Sequence, residues 1–140
     1  MSFAILDTNV YIDHWERGAH VAELSSVQKA FIVRHSAVVL SELRRGAHTA
    51  AARKTVETLR RLASVVWAPT AEDWWRAGEV VAKFGHRHGW EAAKRRDFQN
   101  DALIGLTARR HGAVVVTSGA VDFQMLADEL SIRVLAVHAA

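Results

Sequence analysis

The sequence predicts an α/β fold of three layers, in which helices flank a central, mostly parallel sheet. Short apolar runs alternate along the chain with longer segments whose apolar residues recur at helical spacing. Several of the short runs stop at a polar turn, as buried parallel strands do. The chain has 140 residues, of which 50% are hydrophobic and 24% are charged. Its size and composition therefore fit one globular domain over residues 1–140.

Five apolar runs are predicted to form the strands: residues 3–6, 31–33, 65–67, 113–116 and 132–137. The first run stops at the polar turn 7–9 (DTN), and the fourth stops at the turn 117–119 (TSG). In open α/β sheets, binding sites form outside the carboxyl ends of the strands. We therefore expect these two turns to contribute to a common site.

Seven segments have the apolar spacing expected of helices: residues 10–15, 20–30, 36–47, 49–63, 70–84, 101–110 and 123–130. The fifth begins at Thr70, a residue type that caps helix N-termini well. Its predicted buried face consists of Trp74, Ala77, Val81 and Phe84. The stretch 85–96 (GHRHGWEAAKRR) is the least regular and is predicted to be a loop with a short turn of helix.

The composition excludes several classes of protein and site. The chain has no cysteine, which rules out disulfides, zinc ribbons and thiol catalysis. No secretion signal precedes the first strand, and no apolar run approaches the roughly 20 residues of a membrane span. We therefore expect a cytoplasmic protein without a membrane contact. The net charge of +3, the pI of about 9.8 and recurrent basic pairs permit a polyanionic partner.

Four acids fall at the predicted carboxyl edge of the sheet: Asp7, Glu42, Asp101 and Asp122. Each has an ordinary structural explanation when taken alone. Asp7 and Asp122 precede helices as N-caps do, Asp101 lies favourably at a helix N-terminus, and Glu42 can pair with Arg45. Helix capping does not explain why all four fall at the same edge, so the set also predicts a functional site.

Carboxylates held close together need a cation between them. Two such charges 4 Å apart repel by roughly 4 kcal/mol at an effective dielectric of about 20. Oxygen ligands without cysteine favour Mg²⁺ or Mn²⁺ over zinc. Such ions can activate a water molecule and stabilise the leaving oxygen in a displacement at phosphorus. Asn9, Thr117 and Ser118 are candidates to orient that water or a phosphate oxygen.

Four segments resemble, in order, the motifs of PIN domains: residues 5–10 (ILDTNV), 41–46 (SELRRG), 100–104 (NDALI), and 115–117 (VVT) with Asp122-Phe123. The length of the chain and the segment 126–137 are also similar to the VapC toxins of type II toxin–antitoxin modules. The resemblance implies an endoribonuclease that depends on Mg²⁺ or Mn²⁺ and acts on cellular RNA. It further implies a homodimer, neutralised by an antitoxin whose C-terminal segment occupies the acidic groove.

The resemblance also implies roles for individual residues. The conserved acids of the family correspond to Asp7, Glu42, Asp101 and Asp122, with Asp7 and Asp101 as the metal ligands. This chain has Gly119 where many relatives have Asn or Asp, which leaves open whether one or two ions bind. Asp97, in the predicted loop before Asp101, is a possible substitute for the missing acid.

Two other functions are compatible with the sequence. One is a phosphoacceptor domain of the receiver type, but the third strand ends at residues 65–68 (VVWA) without the acceptor acid that it needs. The other is a catalytically impaired PIN-like module that binds RNA or a protein, suggested by Gly119. Among the tryptophans, Trp67 and Trp74 are expected in the core, and Trp75 is a candidate for a dimer or antitoxin contact.

Overall fold

A computed structural model of the protein describes residues 1–138. Within this range the elements are β1 (Phe3–Leu6), α1 (Thr8–Arg17), α2 (Val21–Ala30), β2 (Ile32–Ser36), α3 (Ala37–Gly46), α4 (Ala50–Leu62), β3 (Val66–Trp67), α5 (Ala71–His88), α6 (Ala92–Arg110), β4 (Val114–Thr117), α7 (Ala120–Leu130) and β5 (Val134–Ala136). The predicted α/β fold with a central sheet is confirmed. None of the helices in this part of the chain is long and apolar enough to cross a membrane.

The five strands form one sheet in the order β3-β2-β1-β4-β5, and all the paired strands are parallel. The chain moves outwards from β1 through β2 to β3, and then returns to the other side of β1 with β4 and β5. The order of the strands therefore reverses between β1 and β4. In such sheets the crevice at the carboxyl ends of the two central strands is where ligands bind.

The two central strands are buried on both faces, which explains their continuous apolar sequences. On one face Ile5 and Val115 contact the larger hydrophobic cluster, which α3 to α7 complete. On the other face Ala4 and Val116 join a smaller cluster with Val27 of α2. Because β1 and β4 are fixed from both sides, the residues that follow them are held on a rigid support.

The prediction of a loop over residues 85–96 is wrong. Helix α5 continues to His88 and α6 begins at Ala92, so only residues 89–91 connect them. Gly89 ends α5 in the left-handed conformation (φ 63°), and its N–H bonds back to the carbonyls of Gly85 and His86. The alanines and basic residues of 92–96 are good helix formers, although they show no apolar period. As a result Asp97 lies on α6 with Asp101, and not on a loop.

The predicted buried face of α5 is displaced by one residue. The helix buries Asp73, Ala77, Val80 and Phe84, while Trp74 is 51% exposed. Asp73 is acceptable in the interior because it forms a capping box with Thr70 and an ion pair with Arg110. The prediction that Trp74 lies in the core is therefore wrong. Trp67 is half-buried and stacks on the ring of His111 at a centroid distance of 3.9 Å, and Trp75 is 70% exposed.

Candidate functional site

Four elements bring acids to the crevice between β1 and β4. Asp7 follows β1, Glu42 lies in α3, Asp101 lies in the middle of α6, and Asp122 lies in the first turn of α7. All four line one cavity of about 520 Å³. Further polar residues of its lining are Thr8, Asn9, Arg45, His48, Lys94 and Asp97. We call this cavity the acidic pocket.

Asp7 is the most tightly held of the four acids. It is only 3% exposed and it caps α1, accepting the backbone N–H of Thr8 at 2.7 Å through Oδ1. Its other oxygen, Oδ2, accepts the hydroxyl of Thr117 at 2.9 Å. That hydroxyl in turn accepts the N–H of Gly119 at 2.9 Å, so the ends of β1 and β4 are tied together. Burial raises the pKa of Asp7 to about 6, despite these hydrogen bonds.

Glu42 is oriented by two neutral donors. The hydroxyl of Thr8 donates to Oε1 at 2.8 Å, and the amide of Asn100 donates to Oε2 at 3.4 Å. No ion pair joins Glu42 to Arg45 within residues 1–138, so a simple helical pair does not explain this acid. The contacts instead connect α3 to α1 and α6 across the pocket.

The pKa of Asp101 depends on its burial and on the charges of the other acids. Burial is the largest cause that raises its pKa to about 9, followed by the negative charges of Asp7, Glu42 and Asp122. The positive charge of Lys94 acts in the opposite direction. The four acids line the same cavity, so the charge of each acts on the others, which agrees with the grouping predicted from the sequence.

Asp122 and Asp97 lie on the outer side of the pocket. Gly119 is the N-cap of α7, and Asp122 instead pairs with the amino group of Lys94, at 2.6 Å from Oδ2. Asp97 precedes Asp101 by one helical turn, and its side chain is 61% exposed. The pocket therefore has three inner acids and two outer ones.

The three predicted orienting residues occupy different positions. Asn9 is exposed and lines the pocket. Thr117 is fully buried, and its hydroxyl is engaged by Asp7. Ser118 acts instead on Asp13. Burial raises the pKa of Asp13, but hydrogen bonds from His20, Ser118 and Arg17 together outweigh it and hold this pKa below its ordinary value.

Sequence reasoning missed Thr8, His48 and Lys94, which line the pocket, and Asn100, which donates to Glu42. Thr8 and Asn100 are the direct neighbours of Asp7 and Asp101, and their adjacency to two predicted ligands was an available signal. Lys94 lay in the stretch that was predicted to be a loop, so nothing in the sequence aligned it with Asp101.

The donor set fits a hard divalent cation. No three acidic or histidine side chains within residues 1–138 lie close enough to form a compact ligand cluster. Mg²⁺, however, keeps several of its waters and is commonly held by only one or two carboxylates. Asp7 is buried and Asp101 is partly buried, and neither carboxyl group forms an ion pair within residues 1–138. Their oxygens suit Mg²⁺ or Mn²⁺ better than zinc.

Several solved structures are similar to this chain in fold. A chain of VapBC2 from Rickettsia felis, bound to a promoter DNA fragment, is 17% identical with a TM-score of 0.69, and the match covers 96% of this chain and 98% of that one. A chain of VapBC-1 from nontypeable Haemophilus influenzae is 21% identical with a TM-score of 0.67, covering 96% and 97%. At these identities the likeness concerns the fold.

A third match is a chain of DNA-bound VapBC from Salmonella typhimurium, 20% identical with a TM-score of 0.66, which covers 97% of this chain and 98% of that one. Comparison with curated protein sequences finds no match. The model of the PIN domain family matches residues 4–128, a range that includes all four acids of the pocket. The chain therefore belongs to the PIN domain family.

Proposed function

We propose that this PIN-domain protein is a metal-dependent endoribonuclease that hydrolyses phosphodiester bonds of cellular RNA, and that it is the toxin of a type II toxin–antitoxin module. PIN domains are generally nucleases, which supports the class of reaction. The observation that carries the proposal is the meeting of Asp7, Glu42, Asp101 and Asp122 in one pocket at the switch point of the sheet. One domain over residues 1–140 is proposed to perform the whole reaction.

Asp7 and Asp101 are the proposed metal ligands. When bound, Mg²⁺ or Mn²⁺ supplies a water of lowered pKa and neutralises charge on the phosphate. Thr117 and the N–H of Thr8 fix both oxygens of Asp7, so this ligand is oriented before any substrate arrives. Asp101 stands on α6, whose following residues 102–108 are all buried, so its backbone is equally rigid.

Glu42 is the proposed residue that positions the attacking water. Its Oε1 is engaged by Thr8, whereas Oε2 is held only by the 3.4 Å contact from Asn100 and keeps capacity to accept a proton from water. Asn9 is exposed at the edge of the pocket and is proposed to contact a phosphate oxygen. Ser118, held by Asp13, is proposed to support the loop after β4 instead.

Basic residues at the edge of the pocket are proposed to hold the RNA backbone. Arg45 and His48 line the pocket on the side of α3. Both are exposed and free of ion pairs within residues 1–138. Phosphate contacts from such residues make affinity fall with salt concentration. The proposed substrate is therefore a polyanion that is guided past the carboxylates by flanking positive charge.

The proposed partner is an antitoxin protein, because the matched structures are VapBC complexes. A second cavity of about 280 Å³ adjoins the acidic pocket and shares Glu42 with it. Its apolar lining includes Ile12, Trp15, Leu43, Ala47 and Val56. Co-expression with the product of a neighbouring antitoxin-like reading frame is expected to yield a stable complex without ribonuclease activity.

A homodimer is also proposed, with the exposed Trp75 of α5 as a candidate contact. Large aromatic side chains are enriched at protein interfaces and are otherwise uncommon on free surfaces. Light scattering after size-exclusion chromatography is expected to give twice the mass of 15.5 kDa. A monomer at micromolar concentration would contradict this part of the proposal.

The test of the catalytic proposal is sequencing of RNA 5′ ends after incubation with the purified protein. Cleavage is expected to require Mg²⁺ or Mn²⁺, to stop in EDTA, and to fall by about 100-fold or more in Asp7→Asn and in Asp101→Asn. Asp128→Asn is the matched control, because Asp128 is exposed on α7 outside the pocket. Cleavage that survives EDTA and both pocket substitutions would refute the site.

The competing function is a catalytically impaired module that binds RNA or a protein. Gly119 adds no acid to the pocket, and the carboxylates do not form a compact cluster within residues 1–138. This alternative predicts RNA binding that is unaffected by EDTA, together with no uptake of Mn²⁺ at millimolar concentration in calorimetry. The ribonuclease proposal predicts the opposite result in the metal titration.

A further inference from the structure

The acidic pocket already contains a positive charge, the amino group of Lys94. Its Nζ lies 2.6 Å from Oδ2 of Asp122, at the length of a strong charge-assisted hydrogen bond. The side chains of Lys94 and Asp122 are 35% and 30% exposed, so the pair is two-thirds removed from water. It is therefore screened less than an ordinary surface salt bridge.

Lys94 is held in this position by its own element. It precedes Asp101 by two turns of α6, so both side chains project from the same face of the helix. Its Nζ also lies 5.2 Å from the ring centroid of Trp90, within the range of a cation–π contact. Trp90 in turn packs on the fully buried Phe98 at a centroid distance of 4.8 Å. The position of Lys94 is thus set both by α6 and by its contact with Trp90.

The charges of the pocket are divided unevenly. Asp122 is the only acid in the segment 118–122 that follows β4, because Gly119 has no side chain. Its charge is matched by Lys94. Asp7, Glu42 and Asp101 form no ion pair within residues 1–138. The inner acids are therefore the ones left for a divalent ion to bind, whereas Asp122 is already paired with an ammonium group.

We propose that Lys94 takes the place of a second metal ion beside Asp122, so that the pocket binds one divalent cation per chain. This inference rests on the proposed function, in which Asp7 and Asp101 hold the metal. A second ion at Asp122 would have to displace the ammonium group, which repels it. In an RNA complex the same ammonium keeps two further N–H donors and can give one to a phosphate oxygen, supplying the second positive charge of the site.

The test is the stoichiometry of Mn²⁺ binding to the full chain, measured by calorimetry and by the loss of the free Mn²⁺ spectrum in electron paramagnetic resonance. The wild type is expected to bind one ion, and Lys94→Met is expected to bind two. Lys94→Arg, which keeps the charge, is expected to bind one. Lys83→Met is the matched control, because Lys83 forms a similar pair with Glu129 at 2.8 Å on an exposed surface; one ion is expected there. Melting curves verify that each variant folds.

Two ions on the wild type, or one ion on a folded Lys94→Met, would overturn the proposal. Failure of the proposal for Lys94 can be distinguished from failure of the proposed ribonuclease function. Two bound ions with RNA cleavage that stops in EDTA would refute only the role of Lys94. One bound ion in the wild type and two in Lys94→Met, without cleavage of any RNA, would support the role of Lys94 and refute the ribonuclease. No bound ion would overturn both.

Discussion

At the scale of single residues, each acid of the pocket is held by a different kind of contact. Asp7 accepts a backbone N–H and a buried hydroxyl, Glu42 accepts a hydroxyl and an amide, and Asp122 accepts an ammonium group. Asp101 accepts no hydrogen bond from a side chain within residues 1–138 and is raised in pKa by burial and by its neighbours. Its charge is thus the one that a cation would stabilise most.

Asp101→Asn is expected to raise the stability of the fold and to abolish RNA cleavage. Above pH 4 the folded chain must take up a proton at Asp101 that the unfolded chain releases, and asparagine removes this cost of folding. About 1 kcal/mol of relief raises Tm by about 4 °C in a domain of this size. We expect a higher Tm than wild type at pH 8 in EDTA, together with loss of RNA cleavage. The measurements are thermal melting and the cleavage assay. A lower Tm would mean that the carboxylate has a structural role that the pocket geometry does not reveal.

Thr117→Val is expected to loosen Asp7 without disturbing the core. Valine has the shape of threonine but cannot donate to Oδ2 of Asp7 or accept the N–H of Gly119. Loss of such supporting contacts commonly lowers metal affinity or activity by about 10–100-fold. The affinity for Mn²⁺ and the cleavage rate are to be compared with those of Thr55→Val, whose hydroxyl bonds only within exposed α4. Equal values for the two variants would show that Thr117 does not position Asp7.

At the scale of elements, the long helices α5 and α6 and their short connection shape the outer wall of the pocket. Phe84 of α5 packs on Phe98 of α6 at a centroid distance of 5.7 Å, next to the three-residue link. Because α6 begins at Ala92, its first three turns carry Lys94, Asp97 and Asp101 towards the pocket. A loop over this stretch would leave these side chains without a common direction.

Gly78 within α5 and Gly89 at its C-cap are expected to respond oppositely to substitution by alanine. Gly89 has a φ of 63°, which an L residue adopts only with strain, so Gly89→Ala is expected to cost about 1 kcal/mol of unfolding free energy. Gly78 lies within the helix and a Cβ there meets nothing within 4 Å. Gly78→Ala is expected to stabilise by up to about 1 kcal/mol. Urea denaturation measures both, and equal effects of the two changes would contradict the assigned cap.

At the scale of the whole molecule, the acidic pocket makes stability depend on pH and on metal. The folded state holds the protons of Asp7 and Asp101 up to a pH of about 6 and about 9, above the ordinary Asp value of 3.8. The folded chain therefore binds more protons than the unfolded chain between pH 4 and 9. The contribution of these two groups to stability is present below pH 4 and is lost as the pH rises through that window.

Mg²⁺ is expected to raise Tm progressively more as the pH rises from 5 to 9. At low pH the protons compete with the metal for the carboxylates, and at high pH the ion relieves their repulsion. Melting curves with EDTA or with Mg²⁺ measure the difference at each pH. The double variant Asp7→Asn, Asp101→Asn is the control and is expected to lose the dependence. A metal effect of equal size at pH 5 and pH 9 would contradict the assignment of the ligands.

The sequence predicted the parts of this protein that depend on local pattern. The strands at Phe3–Leu6 and Val114–Thr117 were visible because a strand that is buried on both faces must be apolar throughout. Both end in polar turns, which located Asp7 at a carboxyl edge. The order of the motifs indicated the PIN family, and the family match over residues 4–128 bears this out.

The tertiary structure alone decided what depends on distant packing. The sequence marked residues 85–96 as irregular, because α5 and α6 are stabilised there by contacts with each other and not by an apolar period of their own. The sequence placed Trp74 in the core, but Asp73 is the residue that is buried there. Asp73 is buried because it pairs with Arg110, a distant residue that gives no local signal. The contact of Lys94 with Asp122 joins residues 28 positions apart. Local sequence pattern indicates which segments are buried and where strands end. Which charged residues pair with each other is decided only when the helices pack together.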